Sequence, residues 1–318
     1  MFAICIEASH NKGMGHLFRM LNFARYLKKQ NEKPIFFVNN NDHVKNILKE
    51  NSLDFEIVDL EYSQTNWELQ YIKKHNISHW INDRLDTKEQ HALNIKNYKK
   101  DVKLITFDDL GIGAQYSDIN ICGLFFNNNQ LKGNKIIKGV DYLILNKEID
   151  KFKRERKDIN NILVTLGGSD TYAVTIKILK FLIKYNVKAN IHIGPSFDHK
   201  KELKKNITDQ YKIITYVPSL IEEFYKYDLA ITGGGVTPFE ANASGLPCII
   251  VANELFEIQN GKFLDKNQSS KFIGYYENIQ ESIFEQFNYL DINYMSIKGM
   301  NTLDTKAVNR IYEEIVNG

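Results

Sequence analysis

Five short stretches of this chain place reactive side chains and glycines where a strand would meet a helix. The first is "GMGHLFR", in which Gly13, Gly15, His16 and Arg19 lie between an apolar run and a segment of helical period. Glycines in such a turn let backbone N–H groups point at whatever approaches the helix start, a setting that favours phosphate. His16 and Arg19 then sit on the opening helical turn beside that anion position, where an imidazole can serve as a base. A nicotinamide-dinucleotide site fits poorly. Phe18 replaces the third glycine of G-x-G-x-x-G, and the second strand ends in "VNN" with no acid at Asn39 or Asn40 for a ribose. The blander alternative is a tight turn in which His16 only caps the helix.

The second stretch, "DLAITGGGVTPFEANASGLP", carries Gly233, Gly234 and Gly235 after a buried run, then a helix opened by Thr237 and Pro238. Glu240 falls one turn in, placed to accept hydrogen bonds from a ribose diol or simply to favour the positive helix end. The third, "NILVTLGGSD", sets Gly167, Gly168, Ser169 and Asp170 between strand and helix, where Ser169 or Asp170 is as good an N-cap as a ligand. The fourth, "LITFDDLG", ends a strand with Asp108 and Asp109. No third ligand at a metal-binding spacing accompanies them, so no metal is expected. In the fifth, "WINDRLD", Asp83 and Arg84 also stand at a strand end, where function and a surface ion pair are both open readings.

The elements that must position these residues alternate. Strand-like runs "FAICI", "PIFFV", "FEIV", "SHWIN" and "KLITF" are separated by helix-patterned segments 42–50, 66–74 and 87–98. "NILVT", "ANIHIG", "YKIITYV", "DLAITGGG" and "PCIIVAN" repeat the plan beyond residue 160, with helical stretches at 172–185 and 237–244. Such alternation predicts parallel sheets of βαβ units, with ligands at the carboxyl ends of the strands. The fold class expected is α/β with two Rossmann-like domains whose sheets face a central cleft. The expected bounds are 1–147 for the first domain, 148–160 for a charged, solvated linker and 161–300 for the second domain. The helix-patterned end, 301–318, is expected to pack back across the linker.

Composition narrows the function classes. The 318 residues carry a net charge of +2 with lysines scattered rather than blocked, which gives no case for nucleic acid. Hydrophobic content of 43% and charged content of 25% are those of an ordinary globular chain. Cys5, Cys122 and Cys248 each lie in or beside an apolar run without C-x-x-C spacing, so buried reduced thiols are expected. No apolar run approaches the length of a membrane span and no charged leader precedes the first strand, so a cytoplasmic location is expected.

Taken together, "GMGHLFR", "FDD", "LGGSD", "TGGGVTPFEANASGLP" before "EIQN", and the ending "LDTKAVNRIYEEI" resemble the UDP-sugar hydrolase family of pseudaminic acid biosynthesis. Spore-coat polysaccharide proteins and the lipid-II-forming N-acetylglucosaminyltransferase share its architecture. The resemblance spans nearly the whole chain. It implies a GT-B fold with the nucleotide mainly on the C-terminal domain, a UDP-sugar substrate, no cofactor, and polysaccharide-pathway enzymes as partners. It implies that His16, with Gly15 and Arg19, forms the catalytic turn in which the histidine helps water attack the anomeric carbon. Gly168, Val217, Gly233, Gly234, Gly235, Thr237 and Glu240 would then belong to the nucleotide site. Gly13, Asp83, Arg84, Asp109, Gln259 and Asn260 would belong to the sugar side. Two positions depart from the family pattern. Ile258 replaces an Asn before Gln259, and Arg84–Leu85 replace a His-Tyr-like pair after Asp83. A transferase using the same donor site is the alternative, and a non-catalytic sugar-nucleotide binder is the third reading.

Overall fold

The run Phe2–Ile6 is buried at every position, which a strand achieves only when both faces of its sheet are covered. Phe2, Ile4 and Ile6 join one core, while Ala3 and Cys5 join another on the opposite face. The structure, a computed structural model, describes residues 1–7, 15–60, 66–98, 101–124, 130–217 and 219–317. It divides into two units, Met1–Ile144 with Lys306–Gly318, and Leu145–Thr305.

In the first unit seven strands form one parallel sheet. They are β1 (Phe2–Ile6), β2 (Pro34–Val38), β3 (Asp54–Ile57), β4 (His79–Asp83), β5 (Lys103–Phe107), β6 (Ile119–Cys122) and β7 (Lys135–Lys138), ordered β3-β2-β1-β4-β5-β6-β7. The helices between them are α1 (Gly15–Lys29), α2 (Asp42–Glu50), α3 (Trp67–His75) and α4 (Glu89–Tyr98). The apolar spacing of α1 puts Leu17, Met20, Leu21, Ala24 and Leu27 into the core.

The second unit repeats the plan. β8 (Ile162–Thr165), β9 (Asn190–His192), β10 (Lys212–Ile214), β11 (Leu229–Gly233), β12 (Cys248–Ala252) and β13 (Ser270–Tyr275) form a parallel sheet ordered β10-β9-β8-β11-β12-β13. Its helices are α5 (Ile149–Phe152), α6 (Val174–Lys184), α7 (Lys200–Asn206), α8 (Leu220–Phe224), α9 (Thr237–Ala243), α10 (Glu257–Lys266) and α11 (Ile292–Thr302). The last helix, α12 (Ala307–Asn317), belongs to the first unit, where Ile311 and Ile315 enter the core of β1 and α1.

The charged stretch 148–160 falls within the second unit, and most of it is exposed, with Ile149 and Arg156 buried. Arg156 is fully buried and donates to the carbonyls of Arg154, Phe224, Tyr227 and Ser244. Those acceptors include carbonyls at the ends of α8 and α9, and a guanidinium with five donors can serve several at once. Burial and neighbouring Arg154 pull the Arg156 pKa down to about 9. Cys5, Cys122 and Cys248 are buried, and no disulfide joins any of them. Among the described residues no helix is long and apolar enough to cross a membrane.

Candidate functional site

β1 and β4 are neighbours, and their register sets Asp83 beside Ile6 at the carboxyl end of the sheet. His16 and Arg19, three residues apart on α1, share the helix face above that point. Asp83 is fully buried beneath them. His16 Nδ1 lies 2.6 Å from Asp83 Oδ1, and Arg19 Nε donates to Asp83 Oδ2 at 2.9 Å. The remaining guanidinium nitrogens of Arg19 reach Asp83 and Asp108, and its plane lies over the Phe107 ring, 5.4 Å from the centroid.

Burial by itself would raise the Asp83 carboxyl. Arg19 and His16 more than offset that and hold it below the ordinary carboxylate range. An ionised carboxylate only accepts, so His16 Nδ1 carries the proton it donates to Asp83. The lone pair of the neutral ring is then on Nε2. The imidazole keeps 18% of its side-chain surface exposed. Arg19 stays charged, since the two aspartates outweigh the cost of burying it. The cluster is therefore an oriented imidazole backed by a fixed charge. It can take a proton from a hydroxyl or water presented to Nε2.

Three other first-unit candidates are placed differently. Asp109 is turned away from the cluster. Its carboxylate accepts from the Thr87 N–H at 3.0 Å, the Thr87 hydroxyl and the Gly111 N–H at 2.8 Å. A Cβ on Gly111 would stand 2.5 Å from the Thr87 nitrogen, so this loop closes only with glycine there. Asp108, its neighbour, takes the position on Arg19 instead. Arg84 also points elsewhere, donating to the Leu60 carbonyl at 2.9 Å and lying 3.8 Å from Glu7. Gly15 opens α1 with nothing within 4 Å of where a Cβ would stand, and Gly13 lies outside the described residues. Strain gathers at this edge. Leu85 and Asp108 both hold positive φ, 64° and 50°, which non-glycine residues adopt at a cost.

In the second unit the glycine turn comes after β11. Gly233 ends the strand, and Gly234 donates its N–H to Glu257 Oε2 at 3.2 Å. A Cβ on Gly234 would stand 2.7 Å from the Glu257 Cβ, which explains the glycine by packing rather than by ligand access. Asn260 Nδ2 donates to the Gly234 carbonyl at 2.9 Å, while Gln259 on the same helix is exposed. The N–H groups of Gly235, Val236 and Thr237 have no acceptor among the described residues. Glu240, half-buried one turn into α9, accepts from the backbone N–H of Asn146, and burial pushes its carboxyl up to about 7. Gly168 and Val217 stand at the same sheet edge, after β8 and β10. Asp170 is a cap, its two oxygens accepting from the N–H groups of Val174 and Thr175 at 2.8 Å each. Asn253, after β12, donates to the Leu166 carbonyl at 3.2 Å and keeps a buried Oδ1 with no partner among the described residues.

The contact of Asp108 with Arg19 in the first unit, and the place of Glu257 under the glycine turn in the second, were not read from the sequence. Among the described residues no three His, Cys, Asp or Glu side chains cluster so as to hold a metal ion.

No family model matches the sequence. Over 278 residues, 80% of this chain, it is 32% identical to an uncharacterized protein of Methanocaldococcus jannaschii. The match spans 56% of that relative, little more than half its length. The spore coat polysaccharide biosynthesis protein SpsG of Bacillus subtilis is 29% identical over 263 residues, 78% of this chain and 76% of SpsG. Among solved structures, MurG of Acinetobacter baumannii aligns with a TM-score of 0.71 at 14% identity, covering 100% of this chain and 99% of its own. Anabaena HepE in complex with UDP aligns with a TM-score of 0.70 at 12% identity, over 100% of both chains. With two parallel-sheet Rossmann-like units, this chain has the GT-B fold.

Proposed function

We propose that this protein is a nucleotide-sugar hydrolase that releases UDP from an amino-deoxy UDP-sugar by attack of water at the anomeric carbon. The His16–Asp83 pair, at 2.6 Å and steadied by Arg19, is the observation that carries the reading. Nε2 of His16 takes a proton from water as the water oxygen bonds to the anomeric carbon. The bond from that carbon to the diphosphate oxygen breaks, and UDP leaves with the electron pair. Asp83 stabilises the imidazolium that forms. The N–H groups of Gly235, Val236 and Thr237 suit the diphosphate, and Glu240 suits a ribose diol. Support for UDP comes from the shared fold of HepE, solved with UDP. The amino-deoxy sugar rests on the motif resemblance, and a surface-polysaccharide pathway, with its enzymes as partners, on the likeness to SpsG.

A second reading is a glycosyltransferase using the same donor. Leu85, Leu110 and Ile112 are 44%, 42% and 60% exposed on the loops after β4 and β5. The Leu110 N–H donates to the Leu85 carbonyl at 2.9 Å. Apolar side chains kept at this edge serve an acceptor better than they serve water. The two readings separate in one assay. Purified protein incubated with amino-deoxy UDP-sugars releases UDP without any acceptor if the hydrolase reading holds. Release only when an acceptor sugar is supplied supports the transferase. Absence of release under both conditions contradicts both.

A further inference from the structure

Glu257 occupies the glycine turn from below. Its Oε2 accepts three backbone N–H groups, from Asn253 at 2.7 Å, Gly234 at 3.2 Å and Glu254 at 3.3 Å. The residue is 9% exposed, yet its Oε1 has no partner among the described residues. That oxygen stands 3.5 Å from where a Cβ on Gly235 would be, so it faces the stretch whose N–H groups lack acceptors. No cation pairs with Glu257 among the described residues. The charged group facing it is Glu254, of the same sign, on the turn before α10, while Glu240 on α9 is held by the Asn146 N–H.

We propose that Glu257 is a built-in anion of the glycine turn, and that a nucleoside diphosphate binding there takes up a proton onto Glu257 Oε1. The inference rests on the nucleotide reading above. A carboxylate and a phosphate brought into contact in a partly buried site do not both stay ionised. The proton comes from solvent and goes to Oε1, because Oε2 is already committed to three donors. The new O–H then donates to a phosphate oxygen, turning a repulsion into a hydrogen bond. Burial already pushes the Glu257 carboxyl up, against the pull of those N–H groups. This differs from Glu240, whose ribose contact needs the ionised form, so binding there releases a proton.

The test is calorimetry of UDP binding to the full chain at about pH 8, in two buffers of different ionisation enthalpy. At that pH the terminal phosphate of UDP, with a pKa of about 6, is already ionised and adds no proton of its own. Glu240, at about 7, is then also mostly ionised. The expected result is a buffer-dependent enthalpy that reports net proton uptake. Glu257→Gln should abolish the uptake, since its amide can still accept from the three N–H groups and now donates permanently to phosphate. UDP should bind that variant roughly tenfold tighter at about pH 8, with the difference narrowing as pH falls. UDP that binds the native protein with no proton uptake overturns this inference and leaves the nucleotide reading intact. UDP that binds at no pH overturns both.

Discussion

β4 and β11 hold the same place in two sheets whose strand orders match over six strands, and they end in opposite chemistry. β4 ends in the buried Asp83, which gathers His16 and Arg19, with Asp108 joining from the end of β5. β11 ends in Gly233, and the turn beyond it offers backbone N–H groups with the carboxylate of Glu257 beneath them. One scaffold thus supplies a side-chain cluster in one unit and a row of main-chain donors in the other. Side chains at a strand end can be charged, strained and oriented, which suits proton transfer. Main-chain donors cannot titrate, which suits holding a ligand whose charge must stay fixed.

The largest effect should come from discharging the first unit. Asp83→Asn leaves Arg19 buried with Asp108 as its remaining partner and no longer fixes the His16 tautomer. Breaking a buried ion pair costs about 3–5 kcal/mol, with the lower end expected because Asp108 stays, and turnover should fall by about 10²–10⁴. The sign with pH comes from the depressed Asp83 pKa. Its contribution is present above the ordinary Asp value of about 3.9 and is lost as pH falls through the folded value. Urea unfolding at neutral and acid pH checks this, and the gap between native and variant should narrow in acid. An undiminished gap at low pH would contradict the ion-pair account.

A smaller effect belongs to the second unit. Glu240→Ala should weaken UDP binding about tenfold to a hundredfold, from loss of a charged hydrogen bond worth roughly 1.5–3 kcal/mol. Calorimetry that finds unchanged affinity would return Glu240 to a structural part in α9. The smallest effect sharpens the contrast between cap and ligand. Asp170→Ala should cost about 1 kcal/mol of stability by opening the start of α6, with UDP affinity unmoved. A tenfold loss of affinity there would make Asp170 a ligand after all.

Much of this fold is legible in the sequence because burial on both faces of a parallel sheet writes continuous apolar runs. "FAICI", "PIFFV" and "KLITF" coincide with β1, β2 and β5. β7, β13 and α10 leave weaker marks. β7 is exposed at three of its four positions, and α10 mixes polar and apolar residues with a glycine inside. The weak signal of α10 conceals Glu257. The sequence names Asp108 and Asp109 together, and what it leaves unread is which of them meets Arg19, for a conformational reason. Strand alternation from Ile105 and Phe107 puts Asp109 on the α1 side, but the left-handed φ of Asp108 breaks the alternation and turns Asp108 to Arg19 instead. Arg156 is unreadable because an arginine in a charged run looks solvated, and only the fold shows the carbonyls it serves.

The central claim is that His16 is the base of the first-unit site and takes no part in holding the nucleotide. His16→Asn tests it directly, because asparagine keeps a hydrogen bond to Asp83 but cannot take a proton near neutral pH. UDP release from the competent UDP-sugar and UDP affinity are measured on the same preparation. The account predicts turnover lower by at least about a hundredfold with affinity and unfolding midpoint unchanged. Full turnover in that variant, or a collapse of affinity together with stability, would contradict it.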